Sequence, residues 1–488
     1  MSLPPVISKS FIKSSVIYTV AGTLPVASAV ILLPFYIHFL SSESFGAFSL
    51  FLSFSILVQI ITTFSYDATL YIHYHEYKND LSKLSTYVSS ALVLVAVNGL
   101  LVIVFFFALG EILTDLFFGE GSLSFYPYGY VCLFTGIFQS FFKIHNNLLQ
   151  TRQNPTLFFW ANLLSFSLIA SLTIAGLFLF PDSLLGPLGA RLCASVISGG
   201  WASGRMIREF GFGFSFALMR SSLSFNFYTF LYQLQQWVMN YFDRFLVGFF
   251  LPLTQVGIYS FAVQCLMVIE FIVNGLFASF YPKVVSSVMD QKVKVASVEV
   301  NRYYYGLTAV ILVLVSFSIL FFPVLLKLFV SKGEYLLSIP LIPFLSLLYI
   351  FKGLRMYFSI PYGILKYTKP LPGIYLIVST LKIAGMSLLI GSLGVYGVIA
   401  AGLVSLWIEI VLLYQLGKPK FEYKFNVYKL IGLPAGFASM IAIVELFFNE
   451  SNSFLIHLGY VVVCLLSLFW VYRNEVKFIY PAKFTGKS

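Results

Sequence analysis

The sequence predicts an all-α polytopic membrane protein of fourteen transmembrane helices: two six-helix lobes related by pseudo-twofold symmetry, followed by two extra C-terminal helices. The chain of 488 residues is 59% hydrophobic and only 10% charged, whereas soluble domains are about 25% charged. Apolar stretches of about 20 residues, long enough as helices to cross ~30 Å of hydrocarbon, recur from end to end. Short sequence signatures also return at one nearly constant separation, which is the mark of an internal duplication.

Apolar runs between polar interruptions place the spans at 14–38, 44–66, 85–109, 125–147, 157–180, 186–204, 223–242, 254–280, 305–326, 336–358, 373–391, 396–416, 429–447 and 454–472. The first run lacks a cleavage-site pattern and is too long for a signal-peptide core, so it is expected to stay as a signal anchor. With the N-terminus in the cytoplasm, the inner-side segments hold 25 of the 30 lysines and arginines; the exceptions are Arg191, Arg244, Lys327, Lys332 and Lys382. The positive-inside rule therefore predicts that both termini are cytoplasmic, as the even number of spans requires. The net charge of +11 then lies mostly on one membrane face. Such a charge meets anionic lipid rather than nucleic acid. Cys132, Cys193, Cys265 and Cys464 fall inside spans without paired or metal-like spacing and read as small core residues.

The duplication is seen in four places. "FLSSESFGAFS" (39–49) aligns with "FLPLTQVGIYS" (250–260), matching Gly46 with Gly257 at a separation of 211 positions. "FFK" ending at Lys143 parallels "IFK" ending at Lys352, and Pro155 parallels Pro370. "LGPLG" (185–189) parallels "LGVYG" (393–397). The predicted organisation is thus a first lobe over 1–204, a cytoplasmic amphipathic linker over 205–222, a second lobe over 223–416, and helices 13 and 14 with the cytoplasmic tail over 417–488. Six spans per copy make the repeats parallel, a plan that puts a substrate site near the midplane between lobes.

Polar residues within the spans supply the candidate site. Asn226, Thr229, Gln233, Gln236, Asn240 and then Asp243 with Arg244 are spaced by three and four residues, one continuous helical face. At 1.5 Å per residue the stripe runs about 27 Å, nearly the hydrocarbon depth. It reads either as a seam of hydrogen bonds between helices or as the wall of a hydrated cavity. Arg191, Lys382, Glu270 and Glu409 lie well inside other spans. Each isolated charge there costs about 2.5–3.5 kcal/mol. Arg191 or Lys382 is therefore expected either to pair with Glu270 or Glu409 or to serve the site, with the two acids as candidates for ion coupling. Lys143 and Lys352 occupy matching places near inner helix ends. They either snorkel to the interface or offer two cations at an entrance.

Chemistry-bearing signatures are missing. There is no phosphate-binding glycine loop, zinc cluster, serine elbow or Asp-x-Asp pair, and no connection on the outer side is long enough for a catalytic domain. His73 and His75 in "HYHEY" lack a third ligand, which argues against a metal. The chain is expected to be neither an enzyme nor a carrier of a cofactor.

With "FLSSESFGAFSL", "NNLLQTRQNP", "FDRFLVGFFLPLTQVGIYSFAV" and "YPKVVSSV", the chain resembles the Wzx-type flippases of bacterial surface-polysaccharide synthesis. These belong to the superfamily of multidrug and toxin extruders (MATE) and lipid II flippases. The resemblance spans the whole chain, and it carries over most directly to Asp243, Arg244 and Gly257. It implies transport of undecaprenyl-diphosphate-linked oligosaccharide repeat units, for O-antigen or another surface polysaccharide, from the cytoplasmic to the periplasmic leaflet of the inner membrane. A cation-lined cavity is implied, for which Arg191, Arg244, Lys382, Lys143 and Lys352 are candidates, with Asp243, Asn240, Gln236 and Gln233 beside them. The implied partners are the lipid-linked substrate, membrane lipids, a polysaccharide polymerase and a chain-length regulator. The alternatives are a multidrug or other small-molecule extruder of the same superfamily and a polysaccharide polymerase or ligase.

Overall fold

The computed structural model describes residue 24 and residues 28–118, 123–181, 183–289, 296–330, 332–447 and 453–479. All its regular elements are helices. The chain packs as two units, Met1–Ser260 and Phe261–Ser488. In the first lie α1 (Leu33–Phe39), α2 (Ser42–Thr63), α3 (Tyr66–Tyr77), α4 (Leu81–Phe118), α5 (Tyr128–Thr151), α6 (Pro155–Leu179), α7 (Leu185–Phe210) and α8 (Phe216–Phe250). Helix α9 (Leu253–Met289) runs across the division. The second unit continues with α10 (Val298–Phe329), α11 (Leu341–Ile350), α12 (Lys352–Phe358), the single turn α13 (Ile360–Gly363), α14 (Leu371–Leu393), α15 (Val395–Gly417), α16 (Leu433–Phe447) and α17 (Ser453–Ile479).

Among the described residues, ten helices are long and apolar enough to cross a membrane, so this is a multi-pass membrane protein. They account for ten of the fourteen expected spans. Most of the first, 14–38, lies outside the described residues. The other three coincide with α5, α7 and α8, of 24, 26 and 35 residues. Their length suffices, but the polar residues they carry make them less apolar than the other ten.

Helix ends are set by local chemistry. The side chains of Ser41, Asn154 and Ser297 accept the backbone N–H groups of Ser44, Leu157 and Val300, each at 3.1 Å, satisfying donors that a first turn leaves open. Gly394, at φ 55°, separates α14 from α15 in a backbone conformation that glycine adopts without Cβ strain.

Several expected boundaries move. The second span, read as continuous over 44–66, stops at Thr63, because Phe64 and Ser65 are both left-handed (φ 42° and 57°). Helix α3 then restarts and takes in "HYHEY". The linker expected over 205–222 shrinks to the non-helical residues 211–215. It is fastened to α4, where Ser89 Oγ donates to Gly213 O (2.8 Å) and Ser90 Oγ accepts from Ser215 N (2.9 Å). The tenth span is interrupted at Phe351, between α11 and α12.

Small residues let backbones meet. A Cβ on Gly46 would collide with Leu253 O and the Gly257 N–H, and a Cβ on Gly257 with Ser42 O and the Gly46 N–H. The two glycines that correspond in the duplication therefore face one another across the first turns of α2 and α9. In the second unit, the stretch after α15 is strapped to α10 and α12. Asn301 Nδ2 donates to Lys424 O (2.5 Å), Tyr423 Oη to Phe358 O (3.0 Å), and Asn426 N to Tyr305 Oη (2.6 Å). Helix α17 packs along α10, and Tyr472 Oη donates to Lys429 O at 2.6 Å, so the last two helices are built into this unit.

Candidate transport site

Helix α8 carries the polar face. Trp237, beside that face, donates from Nε1 to Ser53 O at 2.9 Å and holds α8 against α2. Along the stripe, Asn226 is fully buried, whereas Gln233 and Gln236 are half-buried and Asn240 is exposed. Asn240 Nδ2 donates to Gln236 O at 2.8 Å, so it is satisfied by its own helix.

The Asp243–Arg244 pair lies inside the helix rather than at its end, a correction to the expected span of 223–242. The apolar "FLVGFF" that follows simply continues the helix to Phe250. Both side chains are buried. Asp243 Oδ2 accepts from Tyr259 Oη at 2.6 Å and ties α8 to α9. Arg244 Nη1 donates to Asn240 O at 2.9 Å and to Asp243 Oδ1 at 3.4 Å, and its guanidinium lies 5.5 Å from the Tyr241 ring centre. Its Nη1 is thus already supplied with two acceptors.

Lys143 and Lys352 stand in two arrangements of the same make-up. Lys143 Nζ is 3.1 Å from Asp67 Oδ2 and donates to Gln233 Oε1 at 3.1 Å, while Gln233 Nε2 donates to Asp67 Oδ1 at 3.4 Å. Asn147 Nδ2 also donates to Asp67, at 3.3 Å. In the second unit Lys352 Nζ is paired with Glu270 Oε1 and donates to Asn274 Oδ1 at 3.2 Å, while Asn274 Nδ2 donates to Glu270 Oε1 at 3.0 Å. Each site is thus a lysine, an acid and a carboxamide that bridges the two.

The remaining candidates divide. Arg191 is buried on α7, 3.5 Å from Tyr36 Oη and with its guanidinium 5.7 Å from the Phe48 ring centre; its Nε makes no hydrogen bond. Lys382 is buried on α14. Glu270 and Glu409 both find cations on one short helix. Helix α12 presents Lys352 to Glu270 and Arg355, one turn on, to Glu409, with Arg355 Nε donating to Glu409 Oε1 at 2.7 Å.

Asp67, Asn147, Tyr259 and Arg355 are the groups that sequence reading passed over. Arg355 had a signal, being three residues from Lys352 and so on its face; Asp67 had none beyond its charge. His73 Nδ1 lies 2.8 Å from Glu76 Oε2 on α3, and among the described residues no cluster of three potential metal ligands occurs. All four cysteines are free; Cys132, Cys265 and Cys464 are core residues as expected, but Cys193 is exposed on α7.

Long helices in a multi-pass chain, two lysine–acid–carboxamide triads and a polar face along one helix define a polytopic membrane protein that holds charged and amide groups within its helical bundle. The comparisons agree at the level of fold. An inward closed conformation of the lipid II flippase MurJ superposes with a TM-score of 0.74 at 16% identity, covering 94% of this chain and 99% of that one. An inward-facing multidrug resistance MATE family transporter gives 0.65 at 13% identity over 85% of this chain and 98% of the other. An outward-facing one gives 0.52 at 14% identity over 84% and 95%. No curated protein matches the sequence. The family model described as polysaccharide biosynthesis protein matches residues 11–289, more than half of the chain. The chain belongs to that family.

Proposed function

We propose that this protein is a flippase for undecaprenyl-diphosphate-linked oligosaccharide repeat units, carrying them from the cytoplasmic to the periplasmic leaflet of a bacterial inner membrane for O-antigen or another surface polysaccharide. Membership of a polysaccharide biosynthesis family and a fold shared with a lipid II flippase support a lipid-linked sugar as cargo. The single observation that carries the reading is the polar face of α8 from Asn226 to Arg244, with half-buried amides at Gln233 and Gln236. A sugar needs such hydrogen-bonding groups to leave water, while its lipid tail remains in hydrocarbon. Arg191, Lys382, Lys143, Lys352 and, at the end of the face, Arg244 are the cations proposed for the diphosphate.

In this reading the repeats, spans 1–6 and 7–12, are the two lobes that rock in alternating access, both termini are cytoplasmic, and Glu270 and Glu409 take part in ion coupling. A polymerase and a chain-length regulator are the proposed protein partners. Alanine at Arg191, Arg244 or Lys382, one at a time, is expected to lower surface polysaccharide at unchanged protein level. Full polysaccharide in all three variants would overturn the cation-lined route.

The likeness to MATE transporters favours a second reading, a multidrug extruder. Drug resistance conferred by expression, with surface polysaccharide intact in a deletion strain, would put that reading first.

A further inference from the structure

We propose that the two lysine triads are masked anion sites, in which Asp67 and Glu270 hold Lys143 and Lys352 closed to a diphosphate until it displaces them. The inference rests on the reading above that cations receive the diphosphate, and it adds the regulation of those cations.

The duplication supplies the first argument. Lys143 and Lys352 correspond, but their partners do not. Shifted by the same 209–211 positions, Asp67 falls on Leu276, Phe277 and Ala278, and Glu270 falls on Gln59, Ile60 and Ile61. Asn274 falls on Thr63, Phe64 and Ser65. The acid and the bridging amide were therefore not inherited with the lysine; each unit reaches the same make-up with residues of its own. In the first unit the acid comes from α3 and the amide from α8, whereas in the second both lie one turn apart on α9.

The second argument is chemical. An ammonium has three donors, and each triad uses two of them, on a carboxylate and on a carboxamide oxygen. One donor stays open, which is enough for a phosphoryl oxygen to make contact. Yet the adjacent carboxylate makes the site neutral as a whole, and in a weakly screened interior a like charge at that distance opposes a second anion strongly. The acid offsets the cost of a charge within the helices, and it must also be given up before an anion can take the lysine. Snorkelling is a poor account, because the Lys143 and Lys352 side chains are only 28% and 11% exposed. The arrangement makes occupancy conditional, since the anion must take the lysine from its acid. In the first unit the displaced Gln233 would report that exchange to the polar face of α8.

The test is titration of inorganic diphosphate onto the full-length protein in phosphatidylcholine nanodiscs. Asp67→Asn is expected to tighten binding about tenfold, equivalent to about 1.4 kcal/mol, and Asp67→Asn/Lys143→Gln to abolish the gain. Unchanged affinity in Asp67→Asn, or a gain that survives loss of the lysine, would overturn the proposal. Should Asp67→Asn not purify as a single species, Glu270→Gln with and without Lys352→Gln is judged by the same two criteria. Competition by phosphatidylglycerol added to the nanodiscs would assign the site to bulk anionic lipid and overturn the diphosphate assignment. The probe carries neither sugar nor lipid, so the two readings fail separately. A tighter Asp67→Asn variant in a strain whose surface polysaccharide does not need this protein removes the flippase reading alone. A working flippase with unmoved diphosphate affinity removes the masking alone.

Discussion

Gly257→Ala is expected to destabilise the protein by about 2–3 kcal/mol, toward the upper end of what overpacking costs. This corresponds to a fall in melting temperature of roughly 4–12 °C for a domain of this size. The new methyl would enter the space of Ser42 O and approach the Gly46 N–H. Those are backbone atoms on the first turn of α2, held by the Ser41 cap at Ser44 N, so they cannot turn aside as a flexible side chain would. Relief requires the two helix ends to separate, which would also strain the adjacent Tyr259–Asp243 hydrogen bond of 2.6 Å. Gly46→Ala should behave alike, since its Cβ meets Leu253 O and the Gly257 N–H. The control is Gly200→Ala on α7, where a Cβ meets nothing within 4 Å. That change should be neutral or stabilising by up to about 1 kcal/mol through helix propensity alone. Thermal unfolding in detergent, followed by tryptophan fluorescence, separates the three variants. Equal melting temperatures for Gly257→Ala and Gly200→Ala would show that the contact does not constrain the fold.

Much of this architecture was legible in the sequence, because a membrane leaves few choices. A long run of apolar residues in lipid must be a helix. What the pattern does not report is where a helix ends. Apolar run length tracks hydrocarbon thickness, whereas α8 and α9 extend for 35 and 37 residues, well past it. The break after α2 was equally hidden. Its left-handed residues are Phe64 and Ser65, and neither glycine nor proline announces it.

The site was legible by halves. Repeat matching found Lys143 and Lys352, and it found Gly46 and Gly257 as equivalents. That the two glycines touch one another is a fact of packing that no alignment of the halves contains. Asp67 escaped, and Glu270 was not matched to Lys352, for a related reason: the two acids sit at non-equivalent positions, and only the folded helices bring each to its lysine. Charge cost alone left Glu409 either paired or serving the site and could not choose among cations; the interruption at Phe351 places Arg355 beside it.

That last pair gives the other large expected effect. Arg355→Ala should cost about 3–5 kcal/mol, the range for a buried ion pair that loses one partner. The cost arises less from the lost attraction than from what remains. The Glu409 side chain is 2% exposed, whereas that of Arg355 is 34% exposed. Removing the arginine therefore strands a carboxylate deep in α15, while removing the acid leaves a cation able to reach water. Glu409→Gln should accordingly be much milder, on the order of 1 kcal/mol for a neutral group that keeps a hydrogen-bonding oxygen. The double variant Arg355→Ala/Glu409→Gln should recover about 1–2 kcal/mol of the loss, giving a coupling of roughly 2–3 kcal/mol between neighbouring sites. Denaturation of the three variants in one detergent provides the cycle. Additive effects would mean that Glu409 finds its compensation elsewhere, and that α12 and α15 are not joined through this pair.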